Sequence, residues 1–263
     1  MSFTKDQIAA MLSLAGKTAI ISGGASGIGK GAADLLASAG AAVVLVDVDD
    51  ERGEAAALEI RHSGGRAVFQ QGDVTRDDDC RRVVDRTIRE FEHIDILFNN
   101  AGVAVRKTIT ELSESDWDRA LDVTLKGTFL LSRHVIPHMI RSGGGSIVNT
   151  GSGWSLKGGD SAVSYCAAKG GVLNMTRAMA IDHGRHNIRV NCVCPGDVDT
   201  PLLRGECRQL GEELSKFMNE AADRPISRVG SPLDVAKAVL FFVSDMSPWV
   251  TGAFLVVDGG GIA

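Results

Sequence analysis

The sequence predicts a doubly wound α/β fold: one mostly or wholly parallel sheet of about seven strands, with helices on both faces. Three observations lead there. Short, near-continuous apolar runs recur along the chain, as in strands buried on both faces. Segments of helical length alternate with them, which is the pattern of parallel β-α-β units. The alternation runs to the end with no Pro- or Ser-rich linker, so residues 1–263 read as one domain.

Residues 1–16 read as a mobile or loosely docked leader. Thr18–Ser22 is a short apolar run ending in glycines, a buried strand. A helix from Ile28 to Ala39, closed by Gly40, leads to a second buried strand at Ala42–Asp47. The rhythm repeats with a helix over 51–63, a strand at 67–71, a helix over 77–91 and a strand at Ile94–Phe98. Beyond Asn99-Asn100-Ala101-Gly102, one long helix is expected over 114–140, bent near Pro137. A strand at Ser146–Asn149, a helix over 163–183 and a strand at Ile188–Val193 come next. A variable 200–225 region, a helix over 232–244 and the strand Ala253–Val257 complete the chain.

Composition narrows the partners. At 44% hydrophobic and 23% charged, the chain has the material for an ordinary soluble core. A formal charge of −5 gives no electrostatic reason for a nucleic-acid partner. No apolar run approaches the ~20 residues that span a bilayer, and the first residues lack the apolar stretch of a secretory signal. Five scattered cysteines do not make a disulfide framework, so a cytoplasmic location is expected. Cys192 and Cys194 share one face of a strand and read as small buried apolar residues. His134 and His138 have i,i+4 spacing but no accompanying Glu, so a helix face is expected there and no metal.

Gly23-Gly24-Ala25-Ser26-Gly27-Ile28-Gly29 lies between the first strand and the first helix of the alternating pattern. There a doubly wound fold brings a pyrophosphate onto backbone N–H groups and a helix N-terminus. The spacing is not G-x-G-x-x-G, so position rather than a fingerprint supports the reading. Asp47 closes the second strand, where a carboxylate can bond the adenosine ribose hydroxyls. Neither Ser26 nor Val48 offers a positive charge to a 2′-phosphate, and Asp49, Asp50 and Glu51 add negative charge. NAD is therefore the expected cofactor, in preference to NADP.

Tyr165 and Lys169 stand four residues apart, on one face of the 163–183 helix. A phenol with a pKa of about 10 is a poor base at neutral pH, and a neighbouring ammonium favours its ionised form. Such a pair is more often surface decoration. It gains weight from Ser152, thirteen residues upstream, and from the glycine loop. No G-x-S-x-G elbow surrounds Ser152, which argues against a hydrolase.

These motifs together resemble the short-chain dehydrogenase/reductase family, from Gly16 to the end. Ser22-Gly23-x-x-x-Gly27-Ile28-Gly29 is similar to the family's T-G-x-x-x-G-x-G, and Asn99-Asn100-Ala101-Gly102 is its N-N-A-G. Asp73-Val74 is similar to the pair that holds the adenine. Pro195-Gly196-Asp197-Val198-Asp199-Thr200 resembles the segment closing over the nicotinamide, where the family uses the backbone at Val198 and the hydroxyl at Thr200. Ser152, Tyr165 and Lys169 fall at the spacing of the catalytic set. The resemblance implies a Rossmann-type domain that interconverts a secondary alcohol and a ketone. Tyr165 is then the general acid/base, Lys169 lowers its pKa and binds the ribose, and Ser152 holds the substrate oxygen. It also implies a homotetramer built through the 114–140 and 163–183 helices and the last strand. Thr124 stands where the family usually has a catalytic Asn, Gly151 replaces a common Ser, and Trp154 is an unusual large neighbour, either pocket wall or packing. Leu202, Leu203, Leu210, Leu214, Phe217 and Met218 are expected to form an apolar lid over the substrate. Other readings are a dinucleotide-binding sensor without turnover, an NADPH-dependent 3-oxoacyl reductase and, more weakly, an S-adenosylmethionine methyltransferase.

Overall fold

The computed structural model describes residues 3–263. Its strands are β1 (Thr18–Ser22), β2 (Ala42–Asp47), β3 (Arg66–Gln71), β4 (Ile96–Asn99), β5 (Gly145–Thr150), β6 (Ile188–Pro195) and β7 (Phe254–Val257). They form one sheet in the order β3-β2-β1-β4-β5-β6-β7, every pair parallel. The helices are α1 (Lys5–Leu12), α2 (Gly27–Ser38), α3 (Asp50–His62), α4 (Asp77–Phe91), α5 (Glu114–Leu121), α6 (Gly127–Arg141), α7 (Val163–His183), α8 (Pro201–Leu210), α9 (Leu214–Ala222) and α10 (Pro232–Val243).

Successive strand residues point to opposite faces, and both faces are covered. Ile21, Val43 and Leu45 pack with Leu36 of α2 and Val239 and Phe242 of α10. Ile20, Val44 and Leu97 pack on the other face with Val83 of α4 and Leu131 and Met139 of α6. This is why β1, β2 and β4 read as unbroken apolar runs rather than alternating ones. A buried polar ladder ties the centre together. Asn99 Nδ2 donates to Asn149 Oδ1 at 2.9 Å and to Ser132 Oγ at 3.0 Å, and Asn149 Nδ2 donates to Thr176 Oγ1 at 2.9 Å.

The structure refines the sequence reading in the long helix and in the leader. The long helix runs from α5 into α6 through a π-helical turn at Asp122–Lys126 without leaving helical backbone, and Pro137 lies within α6. The turn leads into Gly127, where an added Cβ would lie 2.7 Å from Val74 Cγ2, so the chain must turn tightly against the β3–α4 loop. The leader contains a real helix, α1, whose Thr4 and Gln7 form a capping box. No α1 side chain is buried; Asp245 N–H donates to the Met11 carbonyl, and Leu14 is the first buried apolar residue. Residues 1 and 2 of that leader lie outside the described residues.

Strand order reverses between β1 and β4, because the crossovers on either side wind outward in opposite directions. In such sheets the crevice at the carboxyl ends of the strands is the ligand site.

Candidate active site

A cavity of about 800 Å³ opens at this switch point, running from Asp47 and Val48 at one end to Ser152, Trp154 and Tyr165 at the other. The glycine loop forms its floor: Gly23, Ser26, Gly27 and Ile28 all line it. Gly29 stands behind them, where a Cβ would lie 2.0 Å from the Gly23 carbonyl oxygen. Gly27 has φ +55°, a conformation that favours glycine. Only glycines let the backbone lie this close to the start of α2, and the result is a cradle that fits a pyrophosphate.

The other predicted cofactor residues meet along the same cavity. Asp73 and Val74 reach it after β3, Asn100 after β4, and Pro195, Gly196, Val198 and Thr200 at and after the end of β6. Asn100 also fixes the loop, since its Nδ2 donates to the carbonyls of Ser22 and Gly23. Asp47 accepts the Ala25 N–H at 3.1 Å and the Asp49 N–H at 3.2 Å, so it braces the loop that it borders. Thr200 Oγ1 caps α8 by accepting the Leu203 N–H. Arg52, in the first turn of α3, also lines the Asp47 end and pairs with Asp49 at 3.5 Å. Sequence reasoning passed over it, although its position three residues after the helix cap was visible.

At the other end, α7 places Tyr165 and Lys169 on one face, with Lys169 Nζ 5.7 Å from the Tyr165 ring centroid. Both line the cavity, as does Ser152 just after β5. Lys169 is 3% exposed, and its Nζ donates to the Thr150 carbonyl at 2.6 Å. Ser152 Oγ accepts the Trp154 N–H at 3.1 Å. Ser152 N–H donates to Ser155 Oγ, which donates to the Lys169 carbonyl, so the short 3₁₀ turn after β5 is pinned to α7. Gly151 is required here: a Cβ would lie 2.8 Å from Cys192 Sγ and 2.9 Å from Cys194 Sγ.

The electrostatics of the chain alone act on both groups. Burial raises the Tyr165 phenol above its ordinary value, the Glu206 carboxylate raises it further, and the Ser152 hydroxyl offsets part of this. Burial also pushes Lys169 down to about 8. The chain's own groups therefore hold Tyr165 protonated. Burial outweighs the ammonium, which is turned to the Thr150 carbonyl.

Thr124 is buried in the π-helical turn and does not line the cavity. Its Oγ1 accepts the Val103 N–H at 3.4 Å and its carbonyl accepts the Thr128 hydroxyl at 2.8 Å. A Cβ on Gly102 would lie 3.5 Å from both Thr124 Oγ1 and Lys169 Nζ, so the two side chains approach the same glycine.

Trp154 is both wall and packing. It lines the cavity, meets Tyr165 edge-on at 5.9 Å and carries the Arg106 guanidinium over its face at 5.1 Å. Arg106 pairs with Glu206 of α8 at 2.9 Å. Neither partner is legible in the sequence, being separated by about a hundred residues with no local signal. Of the expected apolar lid, Leu202 and Leu203 line the cavity; Leu210, Leu214, Phe217 and Met218 do not. The inner face of α8 is Leu203, Glu206 and Cys207, so the lid presents a charge as well as hydrocarbon.

Fold, loop and site together define a nucleotide-binding oxidoreductase, and the chain belongs to the short-chain dehydrogenase/reductase family; the family model described as enoyl-(acyl carrier protein) reductase matches residues 23–261. Dehydrogenases of this family use nicotinamide dinucleotides. The chain is 41% identical over 245 residues to cis-4-hydroxycyclohexanecarboxylate dehydrogenase of Sinomonas cyclohexanicum, covering 93% of this chain and 96% of that one. It is 38% identical to the NAD-dependent glycerol dehydrogenase of Listeria innocua serovar 6a, covering 93% of each. The crystal structure of levodione reductase superimposes with a TM-score of 0.90 at 32% identity, covering 93% of this chain and 97% of that one. Among the described residues, no helix is long and apolar enough to cross a membrane.

Proposed function

We propose that this protein interconverts a secondary alcohol and a ketone with NAD(H) as cofactor. One observation carries the reading: a single cavity joins the Asp47 carboxylate at one end to Ser152, Tyr165 and Lys169 at the other. The glycine loop and the start of α2 would hold the pyrophosphate, Asp47 the adenosine ribose, Asp73 and Val74 the adenine, and Lys169 the second ribose. The segment from Pro195 to Thr200 would close over the nicotinamide, which when bound supplies the hydride acceptor or donor.

The residues of this chain handle the proton. Ser152 Oγ bonds the substrate oxygen and stabilises the charge that develops there. Tyr165 removes the alcohol proton in oxidation and returns it in reduction. Lys169, beside the phenol, would stabilise the negative charge that builds up on it as the proton moves. Thr124, which approaches the same glycine as Lys169, stands in place of an Asn and would support proton exchange there without touching substrate. The exposed apolar residues Ile181 on α7 and Phe254 and Leu255 on β7 suit the surfaces through which a homotetramer would form. A cytoplasmic location fits five free cysteines.

The test is a panel of cyclic and acyclic secondary alcohols assayed with NAD and with NADP by reduced-cofactor absorbance. Turnover of a cyclic alcohol with a higher kcat/KM for NAD is expected. Failure to transfer hydride in either direction with any panel member would overturn the proposal.

A further inference from the structure

Glu206 is a buried charge at the substrate end of the cavity that the proton chemistry above does not use. It is 8% exposed and lies on the inner face of α8. Its Oε2 accepts Arg106 Nη1 at 2.9 Å. Arg106 is itself fixed: Nη2 donates to the Asp160 carbonyl at 3.1 Å, its backbone N–H donates to Gln209 Oε1 at 3.0 Å, and its guanidinium lies on Trp154. The carboxylate is therefore held in one place. Among the described residues no donor meets Glu206 Oε1, and that oxygen is not among the sealed, unpartnered ones. Since Glu206 lines the cavity, its free oxygen opens into it. Buried carboxylate oxygens need donors, so this one awaits a donor from whatever enters.

The surroundings choose the donor. Arg106 already balances the charge, so a neutral O–H suffices. A substrate carboxylate at this point would meet like charge. The neighbouring Asp197 is engaged by Arg224, and Glu206 reaches the Trp154 wall through Arg106, which lies on that ring. Glu206 and Tyr165 line the same cavity, so one entering molecule can meet both.

We propose that Glu206 is a specificity residue whose free oxygen accepts a hydrogen bond from a second hydroxyl of the substrate, so that the enzyme acts on diols and hydroxyketones in preference to simple alcohols. The inference rests on the dehydrogenase reading of Ser152 and Tyr165. A site built to bond a hydroxyl discriminates against the analogue lacking it, because its own polar group is then left unpaired.

The test compares cyclohexanol with the 1,2-, 1,3- and 1,4-cyclohexanediols, using NAD and the full chain. In the wild type, at least one diol should exceed cyclohexanol in kcat/KM by ~30-fold or more. In Glu206→Leu that ratio should collapse toward one, and in Glu206→Gln, whose amide oxygen can still accept, it should fall only in part. A wild-type ratio near one for every diol overturns the inference without any variant, and so does a Leu variant that keeps the diol preference. Absence of turnover with these alcohols and with the whole panel of secondary alcohols would remove the dehydrogenase reading first, and this inference with it; turnover of simple panel alcohols but of no diol would overturn this inference alone.

Discussion

Lys169→Met separates the stability of this fold from its chemistry. In the wild type Lys169 is 3% exposed, and burial brings its pKa to about 8 from the ordinary 10.5. At about 1.4 kcal/mol per pKa unit, that gap places ~3 kcal/mol of burial cost on the folded state at neutral pH. Methionine fills a similar volume without charge. The variant leaves the Thr150 carbonyl, now bonded at 2.6 Å, without its donor, which returns about 1–3 kcal/mol. The net expectation at neutral pH is a gain of ~1 kcal/mol, or about 2–4 °C in Tm for a chain of this size. The pH dependence is the sharper signature. The unfolded chain keeps this proton up to 10.5, whereas the folded one releases it near 8. The wild-type penalty is thus complete below about 8 and disappears as pH rises toward 10.5. The variant should be the more stable protein at neutral pH and the less stable one above about pH 10, by ~2 kcal/mol. Urea unfolding of both proteins without cofactor, at neutral and alkaline pH, reads this directly. A stability difference that does not change with pH would refute the reasoning.

Other expectations follow from the same geometry. Gly151→Ser drives a Cβ to within 2.8 Å of Cys192 Sγ, so it should destabilise by ~1–3 kcal/mol in chemical denaturation; an unchanged midpoint would show that the thiols give way. Asp47→Ala should narrow the NAD/NADP preference in kcat/KM, and an unaltered ratio would remove Asp47 from cofactor selection. Tyr165 is the chain's one tyrosine, so phenolate absorbance titrates it alone. Because burial raises its pKa, cofactor-free protein should show no phenolate below about pH 10, and titration well below that value would contradict the burial argument. For the same reason alcohol oxidation should accelerate from neutral to alkaline pH, while ketone reduction, which needs the protonated phenol, should be favoured near neutrality.

What the sequence could reveal depended on range. β1 and β2 lie where the apolar runs begin and end, since strands covered on both faces leave no polar residue inside to blur the pattern. The residues expected to hold a cofactor could be picked out because glycines, caps and strand-end acids are local signals, and they line one cavity. The start of β4 was less so: Ile94 is apolar and buried and reads as strand, yet it precedes the ladder, which begins at Ile96. The π-helical turn at 122–126 was hidden: it leads into Gly127, which lies against Val74 of a distant segment. So was the direction of the Tyr165 pKa, which burial decides and spacing cannot show. Arg106 and Glu206 meet only when the β4–α5 loop folds under α8.

The claim beneath all of this is that the Tyr165 hydroxyl moves the substrate proton. Its most direct test is Tyr165→Phe, with turnover of the best panel alcohol and NADH binding measured on the same preparation. The account predicts a loss of ~10²–10⁴-fold in kcat with NADH affinity retained. A phenylalanine enzyme that binds NADH and turns over within a few-fold of the wild type would contradict it.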